Sequence, residues 1–226
     1  MCKNLAKTKS NFSIQSFEGG YDKNYSYLLT CLEDIDSIIV DASLELSRLQ
    51  PFIKTTPAAI LITHSHHDHI KHINKYIEAY PEIKVIGHPK SKLNNTPEIN
   101  YLPMKDNSVF KLGSLEIKTI HTPGHYYDSV CFLVENIIFT GDTLFIGRTG
   151  RTLSKGSNIS DLYNSVYKKL LTLPGSTIIY PGHNYGSKPT MTISENIKIS
   201  NLLQASGEKD FIDRMKNYEK TRVNNS

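Results

Sequence analysis

His64, His66 and His69, with Asp68 between them, fall in the six residues His64-Ser65-His66-His67-Asp68-His69, and nitrogen and carboxylate donors so spaced can hold transition metals. Neutral imidazole with carboxylate suits zinc, iron or manganese. Calcium and magnesium prefer shells made wholly of oxygen. A solvated, His-rich loop is the simpler reading of such a cluster, but it does not account for the donors found elsewhere in the chain. His125 stands in His121-Thr122-Pro123-Gly124-His125, Asp142 in Phe139-Thr140-Gly141-Asp142, and His183 directly after Tyr180-Pro181-Gly182. Each follows a β-branched run and sits beside a glycine, which lets the backbone turn tightly at a strand end.

The elements that must position these groups can be read from periodicity. Ala58 to Ile62 has strand character, and Ile70 to Tyr80 repeats its apolar residues at helical spacing, so the His-rich segment is expected in a strand-to-helix loop. Other strands are expected at Phe12 to Phe17, Tyr25 to Leu32, Ser37 to Val40, Lys84 to Ile86 and Val109 to Leu112. Leu115 to Ile120, Val130 to Val134, Ile137 to Phe139 and Thr177 to Tyr180 complete the set. Helices are expected at Leu44 to Phe52, Asp161 to Leu173 with a cap at Ser160-Asp161, Ile193 to Leu203 and Asp210 to Glu219. Four strand ends can then converge on one edge of a layered sheet. The pattern alone leaves sandwich, barrel and α/β arrangements open.

In this order, His-x-His-x-Asp-His, Pro-Gly-His, Thr-Gly-Asp and Pro-Gly-His resemble the metallo-β-lactamase superfamily. Gly141-Asp142-Thr143-Leu144-Phe145, Gly147-Arg148-Thr149-Gly150-Arg151 and Tyr180-Pro181-Gly182-His183-Asn184-Tyr185 are most similar to its glyoxalase II (hydroxyacylglutathione hydrolase) and persulfide dioxygenase branch. The resemblance implies an α/β fold, a four-layer αββα sandwich with a short C-terminal helical appendage. A single domain over 1–226 is expected, with helices from about 190 to 226 packed on it. It assigns His64, His66 and His125 to a first divalent transition metal and Asp68, His69 and His183 to a second, with Asp142 shared. Zinc is the favoured ion, with iron or manganese as substitutes.

The activity implied is hydrolysis of a small thioester, with Asp68 and Asp142 as catalytic carboxylates. Two bridged ions would lower the pKa of a water between them from about 15.7 toward about 7. A thiolate leaving group, with a conjugate acid near about 8.5, needs no strong acid. Tyr185, Arg148, Arg151 and Lys188 are the candidate substrate contacts. Only 43 residues follow His183, too few for the long helical domain that binds glutathione in full-length glyoxalase II, so glutathione recognition is not implied. The alternative is a persulfide dioxygenase holding one Fe(II) through His64, His125 and Asp142. A true β-lactamase ranks below both.

Composition fits an enzyme acting on small molecules. The chain has 226 residues, 38% hydrophobic and 21% charged, and a net charge of +4 spread in small groups such as Lys168-Lys169, which excludes a nucleic-acid footprint. Its three cysteines, at 2, 31 and 131, lie far apart and read as reduced thiols. The basic start Met1 to Lys7 is followed by no apolar leader, and no run reaches membrane length. A cytoplasmic protein with no membrane partner is expected, its oligomeric state left open. Among the other histidines, His67 and His72 are expected beside the ligands or in solvent, His121 ahead of the ligand His125, and His88 at a strand end.

Overall fold

The computed structural model describes residues 6–7, 12–32, 37–93 and 96–223, so Cys2 and the segment Met1 to Leu5 lie outside the described residues. The first sheet runs in chain order: β1 (Ala6–Lys7), β2 (Phe12–Gly19), β3 (Asn24–Cys31), β4 (Ser37–Val40), β5 (Pro57–Leu61), β6 (Lys84–Gly87) and β7 (Tyr101–Pro103). The second begins with β8 (Val109–Leu112), β9 (Leu115–His121), β10 (Val130–Val134) and β11 (Ile137–Gly141), and ends with β12 (Ile178–Pro181) and β13 (Met191–Thr192). Pairing is antiparallel from β1 to β4 and parallel from β4 to β7, and β11 pairs with β12 in parallel. β1, β7 and β13 extend the expected strand set.

Alternation along the strands creates the layers. Tyr27 and Leu29 of β3, Ile38 and Val40 of β4, and Phe132 and Val134 of β10 all enter one apolar cluster between the sheets. Their neighbours Leu28 and Ile39 turn outward under a helical layer, as Cys131 and Ile138 do on the other sheet. Side chains of successive strand residues must point to opposite faces, so strands apolar at every position require cover on both sides. That cover is α1 (Leu46–Leu49) and α3 (Ile73–Ala79) on the first sheet, through Leu49, Ile73 and Tyr76. On the second it is α4 (Ile159–Lys168), α5 (Ile193–Ile199) and α6 (Glu208–Val223), through Leu162, Val166, Ile193, Phe211 and Met215. The result is the expected αββα order. Each fully buried aliphatic or aromatic side chain contributes about 1.5–3 kcal/mol.

The helices are more broken than periodicity predicts. The stretch from Ile70 to Tyr80 belongs to two helices, α2 (His67–Ile70) and α3, because the His72 amide donates to Ala42 O at 3.0 Å instead of continuing the ladder. The α4 cap is Asn158, whose Oδ1 accepts from Asp161 N at 3.0 Å, two residues ahead of the expected Ser160. α5 opens on a capping box between Thr192 and Glu195. Cys31 and Cys131 are buried, and burial pushes the Cys131 thiol up to about 12. No helix among the described residues is long and apolar enough to cross a membrane.

Candidate metal centre

The ends of β5, β9, β11 and β12 deliver the donor-bearing loops to one edge of the sandwich, where the two sheets are tied together. Tyr25 N donates to Gly182 O at 2.8 Å and Asn184 N to Lys23 O at 2.9 Å, so the β2–β3 turn and the loop after β12 share a short ladder there. All seven sequence-derived donors meet at this edge. His66 Nδ1 is 2.9 Å from His64 Nε2 and 3.0 Å from His125 Nε2. His69 Nε2 is 3.2 Å from His183 Nε2, and Asp68 Oδ2 lies 3.6 and 3.5 Å from the two. Asp142 reaches into both groups, with Oδ1 3.3 Å from His69 Nε2 and Oδ2 3.3 Å from His183 Nε2 and 3.6 Å from His125 Nε2.

Hydrogen bonds behind the rings decide which nitrogen each presents. His69 Nδ1 donates to Asp41 Oδ2 at 2.7 Å, His183 Nδ1 to Asp22 O at 2.8 Å and His125 Nδ1 to Arg151 O at 2.8 Å. In neutral imidazoles each Nε2 is then a bare lone pair. Two such lone pairs 3.2 Å apart, on His69 and His183, repel unless a proton or a cation lies between them. Asp142 Oδ1, buried and without a well-formed hydrogen bond, aims at the same space. Gly182 keeps that space open, since a Cβ there would stand 2.3 Å from Asp142 Oδ1 and 2.8 Å from His69 Cε1. The donor set therefore fits two cations bridged by a carboxylate.

Charge balance agrees. Burial works against protonating His69, but Asp142 and Asp41 outweigh it and raise the ring well above its usual range. His183 is likewise raised, by Asp142 against burial. Burial would raise Asp142, yet His183 and His69 hold it well below the usual carboxylate range. Burial lowers His64 and takes His66 down to about 4, so these stay neutral. The same carboxylate charge that raises His69 and His183 favours positive charge, whether proton or cation, in the space between them.

Several supporting residues were not singled out in the sequence. Asp41, 2% exposed and in the left-handed region at φ 57°, accepts Thr63 N and Thr63 Oγ1 at 2.8 Å each as well as the His69 ring. Thr63 Oγ1 lies 3.2 Å from His64 Nδ1, so one carboxylate braces a ring in each group. Its place directly after β4 was the available signal. Asn24 Nδ2 donates to Asp68 Oδ2 at 2.8 Å and fixes that carboxylate.

Over the donors opens a cavity of about 660 Å³, whose wall includes Tyr185, Arg151, His67, Lys71, Tyr21 and Leu153. Tyr185 stacks on His183 with ring centroids 4.8 Å apart, and its hydroxyl donates to Asp22 Oδ2. Arg148 lies beneath that tyrosine, 4.1 Å from its centroid, and donates to Tyr218 OH at 3.2 Å, outside the cavity wall. Lys188 is exposed and also outside the wall. His72 is half-buried beside α3, and His88 stacks on His121 at 4.0 Å.

The comparisons with known proteins point the same way. A probable hydroxyacylglutathione hydrolase from Schizosaccharomyces pombe is 33% identical over 214 residues, 89% of this chain and 77% of the relative. A probable polyketide biosynthesis zinc-dependent hydrolase from Bacillus velezensis is 27% identical, covering 84% and 86%. The crystal structure of ETHE1 from Myxococcus xanthus superposes with a TM-score of 0.78 at 26% identity, over 91% of this chain and 90% of that one. The sequence profile of the metallo-beta-lactamase superfamily matches residues 20–183, which carry every donor named above, and the chain belongs to that superfamily.

Proposed function

We propose that the chain is a dinuclear metallohydrolase that cleaves a small thioester, in the manner of a hydroxyacylglutathione hydrolase. The observation that carries this reading is the Asp142 carboxylate lying within 3.3 to 3.6 Å of imidazoles from both groups. His64, His66 and His125 would hold one ion and Asp68, His69 and His183 the other, with Asp142 common to both. Zinc suits these donors best, and iron or manganese also fits. When bound, such a pair supplies a Lewis acid and a hydroxide at neutral pH.

The chain's own residues then orient and bind. Asn24 holds Asp68, and Asp41 holds His69 directly and His64 through Thr63. Arg151 and Lys71 offer two cations in the cavity wall to an anionic substrate. Tyr185 contributes its ring edge rather than its hydroxyl, which Asp22 engages. Arg148 acts from behind, bracing Tyr185, and Lys188 is left to a peripheral role. The names of the S. pombe and B. velezensis relatives support hydrolysis and, for the second, zinc. We place the protein in the cytoplasm, acting as one domain over 1–226, in keeping with its buried thiols.

A second reading, an Fe(II)-dependent persulfide dioxygenase using His64, His125 and Asp142, draws on the likeness to ETHE1. Elemental analysis of metal-replete protein, combined with release of free thiol from S-lactoylglutathione and simpler acyl thioesters, tests the first reading. About two transition-metal ions per chain and thiol release are expected. A stoichiometry that stays at one under saturating metal would remove it.

A further inference from the structure

α6 carries a buried carboxylate that the proposed chemistry does not use. Glu219 is 7% exposed, and its Oε1 accepts from Thr152 N at 2.6 Å and from Thr152 Oγ1 at 3.0 Å. One helical turn earlier on the same face, Met215 Sδ receives Thr149 Oγ1 at 3.3 Å, and the adjoining Tyr218 OH receives Arg148 Nη1 at 3.2 Å. Three anchors on one helix thus hold a single loop. Arg151 lies inside the held segment, and its carbonyl is the acceptor for His125 Nδ1 at 2.8 Å. The loop has no slack against the site: a Cβ at Gly150 would stand 2.0 Å from Asp142 O and 2.9 Å from the His125 ring.

Packing alone does not call for this carboxylate. Phe211 and Met215, both fully buried, already seat α6 on the second sheet, whereas burying an ionised group costs free energy unless its bonds are well made. We propose that Glu219 is a positioning residue for the metal centre. By fixing Thr152 it fixes the neighbouring Arg151 carbonyl, and through that the tautomer and direction of His125, so that Nε2 faces His64 and His66. This rests on the two-metal reading above, though not on the identity of the substrate.

The test uses the full chain, with zinc as the probe in competition with a chromophoric chelator, and thermal unfolding as a control. Glu219→Ala is expected to weaken one of two zinc equivalents about tenfold and to leave the other unchanged. In Glu219→Gln the amide oxygen accepts the same two bonds, and both equivalents should stay within about twofold of wild type. Thr152→Val loses one bond of the pair and should weaken the same equivalent by about threefold. Glu219→Ala binding both equivalents as tightly as wild type would overturn the proposal. So would equal weakening of both, or glutamine as damaging as alanine. If Glu219→Ala does not fold, Thr152→Val decides, and unchanged zinc binding in it counts against the idea. Should this pattern hold while no thioester is cleaved, the hydrolase reading fails and the positioning role stands.

Discussion

At the scale of single residues, the arrangement separates side chains that hold the centre from those that merely line it. Asp142 is shared by both groups, whereas His67 is exposed on the cavity wall without a place in either. Asp142→Ala should therefore weaken both zinc equivalents and abolish thiol release, while His67→Ala keeps most of both. Loss of metal from His67→Ala as complete as from His64→Ala would show the motif to be wrongly divided. Asp41→Ala should weaken zinc binding by about 10- to 100-fold, since it frees the Nδ1 hydrogen of one ring and unsettles the threonine behind another. Asp142 raises both the His69 and the His183 ring, so in the metal-free protein protons compete with a cation for this space, and affinity should fall as pH drops. Calorimetric titrations in buffers of different ionisation enthalpy should register the protons released on loading. The seven donors were legible because each is a histidine or aspartate in a repeated motif at a strand end. Asp41 has the position but no glycine beside it, and its partner His69 is 28 residues away. Asp22 and Arg151 steady their rings through backbone carbonyls, which no side-chain pattern reveals.

At the scale of elements, the strands were readable and the helix ends were not. Runs such as Ile38 to Val40 and Val130 to Val134 are apolar at every position, and they lie within the spans that periodicity predicts because both faces are covered. The break between α2 and α3 depends on a bond to Ala42, thirty residues upstream, and β7 on pairing with β6; neither is a local property. Thr192-x-x-Glu195, by contrast, is a local signature that does start α5. The stabilities should follow this division. Phe132→Ala empties part of the layer between the sheets and should cost about 3–5 kcal/mol. Thr192→Ala removes an exposed cap and should cost about 1 kcal/mol. Denaturant unfolding of metal-free protein would measure both, and equal losses would contradict the layered core described here.

At the scale of the whole molecule, fold and donors are common to two chemistries, and what separates them is how many ions the edge of the sandwich must hold to work. A thioester hydrolase draws on both groups, so the imidazoles of His69 and His183 and the Asp68 carboxylate are as necessary as His64 and His125. A persulfide dioxygenase needs only the iron held by His64, His125 and Asp142. His183→Ala therefore distinguishes them: it should remove most thiol release from acyl thioesters if the enzyme is a hydrolase, and spare oxygen uptake if it is a dioxygenase. Reconstitution gives the complementary arm, because zinc-loaded protein under anaerobic conditions should still cleave S-lactoylglutathione or a simpler thioester. The three donors of the second group are all in place and braced, Asp68 by Asn24, His69 by Asp41 and His183 by Asp22, which is why hydrolysis is the expected outcome. Iron-dependent oxygen consumption with glutathione persulfide, undiminished in His183→Ala and accompanied by no thioester cleavage, would reverse the assignment and leave the second group as structural support for the first.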